Sequence, residues 1–279
     1  MRYFKIALAV LFVLCVSFFV VRGCIHKPAP SKHPLIRKVS GEKTPEMPPV
    51  TPAVPLPPAR ARMAIILDDW GYNFPLTKTA IALNCPITLS ILPNLPYSGE
   101  IAEEAYTHHL GIMLHMPMQP YGKKQPLEKH TILLSTPDRD IVRFLDNALQ
   151  SVQHAEGVNN HQGSAATSNE RVMRTVLNHL KEKGLFFIDS DVTSSTVCPR
   201  ISREIGIRFA RRQVFIDNVP KVDAIKNKLS EAVRIALTSG KVVAIGHDKS
   251  VTLEAIRQME PEFKQRGVKL VLAKELAER

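Results

Sequence analysis

Eight short, largely apolar runs punctuate the chain from Met63 onward: Met63–Leu67, Ile87–Leu92, Gly111–Leu114, Gly157–Asn160, Leu185–Ile188, Val214–Ile216, Val242–Ile245 and Val268–Leu272. Runs of this length without strict alternation read as strands buried on both faces. Helical periodicity fills the gaps. Ile141, Leu145, Ala148, Leu149 and Val152 share one face behind Thr136 as N-cap and Pro137 as first helical residue. Val172, Val176, Leu177 and Leu180 share another, preceded by Thr167-Ser168-Asn169-Glu170 with capping-box spacing. Repeated strand-then-helix units predict a parallel sheet covered by helices. Seven or eight such units in a domain spanning 63–279 predict an α/β barrel of parallel strands rather than an open sheet.

Upstream the pattern changes twice. Arg2 and Lys5 precede an unbroken apolar run, Ile6 to Val21, closed by Arg22. Such a run, apolar on every face, predicts a helix over residues 1–25 that serves as signal anchor or signal peptide. Positive residues ahead of it orient the following chain outward, so the expected location is the cell envelope. In a Gram-negative cell that is the periplasm, with the protein anchored at the inner membrane or released after cleavage. Residues 26–60 then hold ten prolines and no apolar period. A segment of this kind, extending to residue 62, is expected to be a disordered, polyproline-rich linker.

Charge follows the same division. Of the formal +11, residues 1–62 contribute +8 and the remainder only +3. The basicity belongs to the tail, which argues against nucleic acid as a partner. Of the four cysteines only Cys85 and Cys198 fall in the domain, and no C-x-x-C occurs, which excludes a thiolate zinc site.

Barrels of this type place chemistry at the C-terminal ends of their strands. The residues found there are Asp68-Asp69-Trp70-Gly71, His115-Met116-Pro117-Met118, Asn159-Asn160-His161-Gln162-Gly163-Ser164, Asp189-Ser190-Asp191 and Gly246-His247-Asp248. Five strands thus deliver Asp or His to one rim. Adjacent carboxylates at a strand end are expected to point to different sides, so that one binds a metal and the other stays free as a base. Two histidines with one carboxylate suit catalytic zinc or ferrous iron.

Taken in order, I-I-L-D-D-W-G-Y-N (Ile65–Asn73), L-H-M-P-M (Leu114–Met118), G-V-N-N-H-Q-G-S (Gly157–Ser164), F-I-D-S-D (Phe187–Asp191) and A-I-G-H-D (Ala244–Asp248) resemble the divergent polysaccharide deacetylase family across residues 63–275. That resemblance implies a distorted (β/α)7-type barrel and a metal-dependent deacetylase of N-acetylated envelope polysaccharide, peptidoglycan-type glycan included. It implies Asp68 as catalytic base, Asp69 and His115 as ligands of a divalent metal, zinc foremost, and His247 as general acid. The usual superfamily motif places a second histidine four residues after the first; here that position is Gln119. His161, at the end of the next strand, is the replacement candidate.

Blander readings stand beside these. Asp68-Asp69 could cap a helix, His115 could be a hydrogen-bonded core histidine, and His161 could be a surface histidine of a turn. Asp189 and Asp191 are candidates to orient His247 or to bind sugar hydroxyls. Trp70 could stack on a sugar ring or simply pack. Asn160 joins the substrate-binding candidates, although Asn159 and Asn160 could equally satisfy turn backbone. The alternative function is a glycan-binding or envelope interaction protein on the same barrel, impaired in turnover.

Overall fold

A computed structural model describes residues 61–122 and 126–279. The expected apolar helix at 1–25 lies outside the described residues, as does the Pro-rich linker apart from Ala61 and Arg62. Among the described residues no helix is long and apolar enough to cross a membrane.

The strands are β1 (Ala61–Trp70), β2 (Thr88–Ile91), β3 (Gly111–Met118), β4 (Gly157–Gln162), β5 (Phe186–Asp189), β6 (Phe209–Arg211), β7 (Val214–Phe215), β8 (Lys241–His247) and β9 (Val268–Val271). The helices are α1 (Phe74–Ile81), α2 (Ser98–Thr107), α3 (Asp138–Ser151), α4 (Glu170–Glu182), α5 (Cys198–Ile205), α6 (Val222–Ser239) and α7 (Ser250–Gln265), followed by a 3-10 turn at Ala273–Glu275. Among the described residues β1 starts at Ala61, two residues ahead of the first apolar run. β6 is the one strand that periodicity did not announce: three half-buried residues are too few to show a pattern.

Every strand pairing is parallel, in the order β6-β5-β4-β3-β2-β1-β8-β7, with β9 added on β1. The ends of that order are one stretch of chain. Phe209–Arg211 pairs with β5, and Val214–Phe215, only two residues on, pairs with β8. Residues 209–215 therefore hydrogen-bond to both neighbours and close a ring of seven positions through a single seam, which is the distorted (β/α)7 barrel.

Two apolar clusters follow from the two faces of the strands. The larger joins the outward residues, such as Met63, Ile65 and Leu67, to helix residues such as Ile141, Val176, Leu229 and Ile256. The smaller contains no residue of α1–α7. It comprises Ala64, Ile66, Met113, Phe186, Ile188, Val243 and Ile245, closed at one end by Val271, Ala273, Leu276 and Ala277. That second set is the barrel lumen, and side-chain alternation assigns it. Phe186 fills the lumen beside Gly157, where an added Cβ would lie 2.3 Å from its ring.

The helix starts differ in detail from expectation. Pro137, in extended conformation, is the N-cap of α3, and Thr136 instead accepts from Leu133 N at 2.9 Å. Asn169, not Thr167, caps α4, its side chain accepting from Val172 N at 3.0 Å. Cys85 and Cys198 are buried free thiols.

Candidate active site

On β1, β3, β4 and β8 the inward column ends in a polar residue. Asp68 follows Ala64 and Ile66 on β1, His115 follows Met113 on β3, and His247 follows Val243 and Ile245 on β8. Asn159 and His161 hold the same parity as Gly157 on β4, Ser190 continues Phe186 and Ile188, and Arg212 continues Ala210. An apolar lumen is thus topped by a polar layer at the C-terminal mouth.

Asp69 joins this layer by breaking the alternation. The β1–β2 register shifts between Leu67 and Trp70, and Asp69 adopts φ 69°, the left-handed region that Asp tolerates better than most residues. The two carboxylates consequently do not point to opposite sides, as strand geometry alone led us to expect. Both reach His115 Nε2, Asp68 Oδ2 at 3.6 Å and Asp69 Oδ1 at 3.3 Å. The same irregularity turns Trp70 outward into the core, where it is fully buried; it is not a rim residue for stacking on sugar.

Asp69 Oδ1, His115 Nε2 and His161 Nδ1 form a near-equilateral triangle. The separations are 3.3 Å from Asp69 to His115, 3.1 Å from Asp69 to His161 and 3.2 Å between the two imidazoles. Asp69 Oδ1 is buried and lacks a well-aligned hydrogen-bond donor. Burial works against its charge, but the two imidazoles hold Asp69 well below the usual carboxylate range. The three residues fit a divalent cation: they are a compact set of one carboxylate and two histidines, with donor spacings near the roughly 3.4 Å that ligand bonds of about 2.1 Å give in a tetrahedral site. Gln119 has a different task, its Oε1 accepting from Leu134 N at 2.7 Å to pin the β3–α3 loop.

The neighbouring groups are held from behind. His115 Nδ1 lies 2.8 Å from Asn159 Oδ1, which also accepts from Ser90 Oγ at 2.5 Å. Asn159 Nδ2 donates to Asp68 Oδ1 at 2.9 Å and to Ser190 Oγ at 3.2 Å. Burial lifts Asp68 above the usual carboxylate range, against the pull of His115 and the Asn159 hydrogen bond. Burial also opposes the charge of His115, yet the Asp68 and Asp69 carboxylates raise it above an ordinary histidine.

Across the mouth, His247 Nδ1 meets Asp217 Oδ1 at 2.8 Å, while its backbone N–H and Thr252 Oγ1 donate to Asp217 Oδ2 at 2.9 and 2.8 Å. Burial disfavours the His247 cation, but Asp217 raises it above the ordinary histidine value. Asp217 in turn is buried, and His247 keeps it below its usual range. His247 Nε2 is left facing Asp69 Oδ2 at 3.8 Å.

Asp217 thus orients His247, one of the two tasks expected of Asp189 or Asp191. The signal existed: Asp217 directly follows the apolar run Val214–Ile216, the one strand end of the ring's later half that was not read for polar residues. Asp189 is fully buried on the outward parity, accepting from Asp191 N at 2.9 Å and Thr196 Oγ1 at 2.7 Å, which shapes the β5–α5 loop. Asp191 pairs with Arg211 at 2.5 Å. Asn160 is buried, its amide donating to Gln162 O at 2.7 Å and accepting from Ser190 N at 2.9 Å, so both ends of its amide bond to backbone. Arg212, unforeseen, stands over Phe215 at 5.0 Å and donates to the carbonyls of Ser190 and Asp191, both at 2.6 Å.

The mouth of this closed parallel barrel thus carries an Asp-His-His donor set, a second buried carboxylate and an Asp-backed histidine. The chain belongs to the divergent polysaccharide deacetylase family, whose model matches residues 65–277. It is 32% identical over 207 residues to the uncharacterized protein YibQ of Escherichia coli, covering 74% of this chain and 65% of YibQ, so the match spans just under two thirds of that relative. An uncharacterized protein of Haemophilus influenzae is 31% identical over 71% of each chain. Among solved structures, an uncharacterized protein from Agrobacterium tumefaciens superposes with a TM-score of 0.74 at 22% identity, covering 80% of this chain and 92% of that one. This last likeness speaks to the fold alone.

Proposed function

We propose that this chain is a metal-dependent deacetylase acting on an N-acetylated envelope polysaccharide. The observation that carries the reading is the triangle of Asp69, His115 and His161 donors, flanked on one side by the buried Asp68 carboxylate and on the other by His247. A divalent cation held by those three residues, zinc foremost, would lower the pKa of a bound water and polarise the acetamide carbonyl. Asp68, whose burial makes it a stronger base than a solvated carboxylate, takes a proton from the attacking water. The water oxygen bonds to the carbonyl carbon, the C–N bond breaks, and His247 Nε2 gives its proton to the departing amine. The products are acetate and a free amino sugar. Asp217 keeps Nδ1 of His247 engaged, so that Nε2 faces the reaction. The apolar segment Ile6–Val21 is the proposed tether to the membrane, with the linker as spacer.

Metal analysis and acetate release test this reading on the full chain. We expect one divalent ion per chain, lost in His161→Ala, and acetate release from chitooligosaccharide or peptidoglycan. Asp68→Asn is expected to abolish turnover while leaving metal content unchanged; loss of metal instead would mean that the roles of Asp68 and Asp69 are exchanged. Normal glycan binding without acetate release, indifferent to Asp68→Asn, would replace the hydrolase with a glycan-binding protein.

A further inference from the structure

We infer that Asn159 is a positioning residue with two separable functions: its carbonyl end sets His115 as a ligand, and its amide end sets Asp68 as a base. The inference builds on the proposed function by naming what ties its two chemical halves together.

The argument runs through hydrogen-bond polarity. Asn159 lies on the inward parity of β4, fully buried, between β3 and β5. Its two polar atoms face different groups, Oδ1 toward His115 Nδ1 and Ser90 Oγ, Nδ2 toward Asp68 Oδ1 and Ser190 Oγ. Ser190 Oγ donates its proton to Asn160 O and can only accept from Asn159, so the NH2 end of the amide faces Ser190 and, with it, Asp68. That leaves the carbonyl oxygen facing His115, and a carbonyl also only accepts. His115 Nδ1 must therefore carry its proton, and the lone pair of the neutral ring is placed on Nε2. Nε2 is the atom 3.3 Å from Asp69 Oδ1 and 3.2 Å from His161 Nδ1. One amide thus ties the placement of the base to the tautomer of the ligand.

Ser90 and Ser190 lock this orientation. Ser190 Oγ donates to Asn160 O at 3.0 Å, which leaves its lone pairs for Asn159 Nδ2. Ser90 Oγ donates to Asn159 Oδ1 and reinforces the carbonyl end. A flipped amide would set its NH2 against the proton of His115 Nδ1 and its carbonyl against Asp68. The carbonyl–carboxylate contact is repulsive between two buried groups, and the other would force His115 into its opposite tautomer.

Two substitutions pull the functions apart. Asn159→Asp retains an oxygen toward His115 but replaces the donor toward Asp68 with a second carboxylate. Asn159→Leu, close in size, removes both. We expect Asn159→Asp to keep zinc affinity within about threefold and to lose turnover, and Asn159→Leu to lose turnover and bind zinc about 10- to 100-fold more weakly, as is typical when a group behind a ligand is removed. Zinc affinity is read by chelator competition on the full chain.

A third measurement needs neither metal nor turnover. In the metal-free full chain, imidazole 15N spectra at alkaline pH should show His115 as the Nδ1–H tautomer in wild type and as the Nε2–H tautomer in Asn159→Leu. The inference is overturned if wild-type His115 is Nε2–H, if Asn159→Leu leaves the tautomer unchanged, or if both variants lose zinc affinity equally. Wild type that shows the Nδ1–H tautomer but releases no acetate would sink the deacetylase reading and leave the assignment of His115 standing.

Discussion

His247 and Asp217 are joined twice: the imidazole Nδ1 meets one carboxylate oxygen at 2.8 Å, and the backbone N–H of the same histidine donates to the other at 2.9 Å. A side chain so held has one ring nitrogen committed and the other aimed at the mouth. Asp217→Asn removes the charge that favours the imidazolium and permits the opposite ring tautomer. We expect kcat to fall by about 10²-fold or more, the scale of a lost general acid, with metal stoichiometry unchanged. The alkaline limb of the pH profile should also move to lower pH, because Asp217 is what raises His247. A profile that keeps its position would assign the proton to another group.

The lumen makes a stability prediction. A Cβ on Gly157 would lie 2.3 Å from the Phe186 ring, deep inside the barrel. Gly157→Ala is expected to cost about 1–3 kcal/mol, the usual toll of overpacking. Combining it with Phe186→Leu should recover part of that loss, so the two changes will not be additive in denaturant melts. Additive effects would mean that the ring has another place to go.

Burial pushes the Cys85 thiol up to about 12 and the Cys198 thiol well above its ordinary value. The thiolate is the reactive species, so both should resist iodoacetamide at pH 8 in the folded protein and react readily after denaturation. Peptide mass spectrometry distinguishes them from Cys15 and Cys24. Rapid native labelling of Cys198 would contradict its burial at the start of α5.

Asp146 on α3 meets His179 Nε2 at 2.9 Å and Lys183 Nζ at 2.8 Å. Slight burial opposes its charge, but Lys183 and His179 hold its carboxyl below the usual range. Its contribution is therefore present above the unfolded-state value of about 3.9 and disappears as pH falls through the depressed folded-state value. On a surface this open, Asp146→Asn should cost less than about 1 kcal/mol at pH 7. The gap between variant and wild type should shrink at pH 3; a constant gap would place the effect in packing.

What the sequence disclosed, it disclosed through short apolar runs and the polar residues that close them. Apolar runs located every strand except β6, and the residues after them brought Asp68, Asp69, His115, His161 and His247 to one rim. Apart from Asp69, parity separates the side chains that reach this cluster from those that do not. Asp189 and Asn160 end strands just as visibly as Asp68, but they sit one residue out of step with the lumen column and point under the helices and loops. Ser190 and Asn159, in step, point inward. Counting back by twos from the strand ends would have found Asn159. Trp70 could not be placed in this way, because the irregularity at Asp69 resets the count. That irregularity is a backbone choice made by tertiary packing, and nothing in D-D-W-G announces it.

The seam at residues 209–215 divides the mouth into two provinces. The donors Asp69, His115 and His161 stand on β1, β3 and β4, within the uninterrupted arc β1-β2-β3-β4. His247 and Asp217 stand on β8 and just beyond β7, beside the join. A disturbance that pries the join apart would move His247 and Asp217 first, so a chain with the proposed function would stop turning over while Asp69, His115 and His161 still hold their triangle.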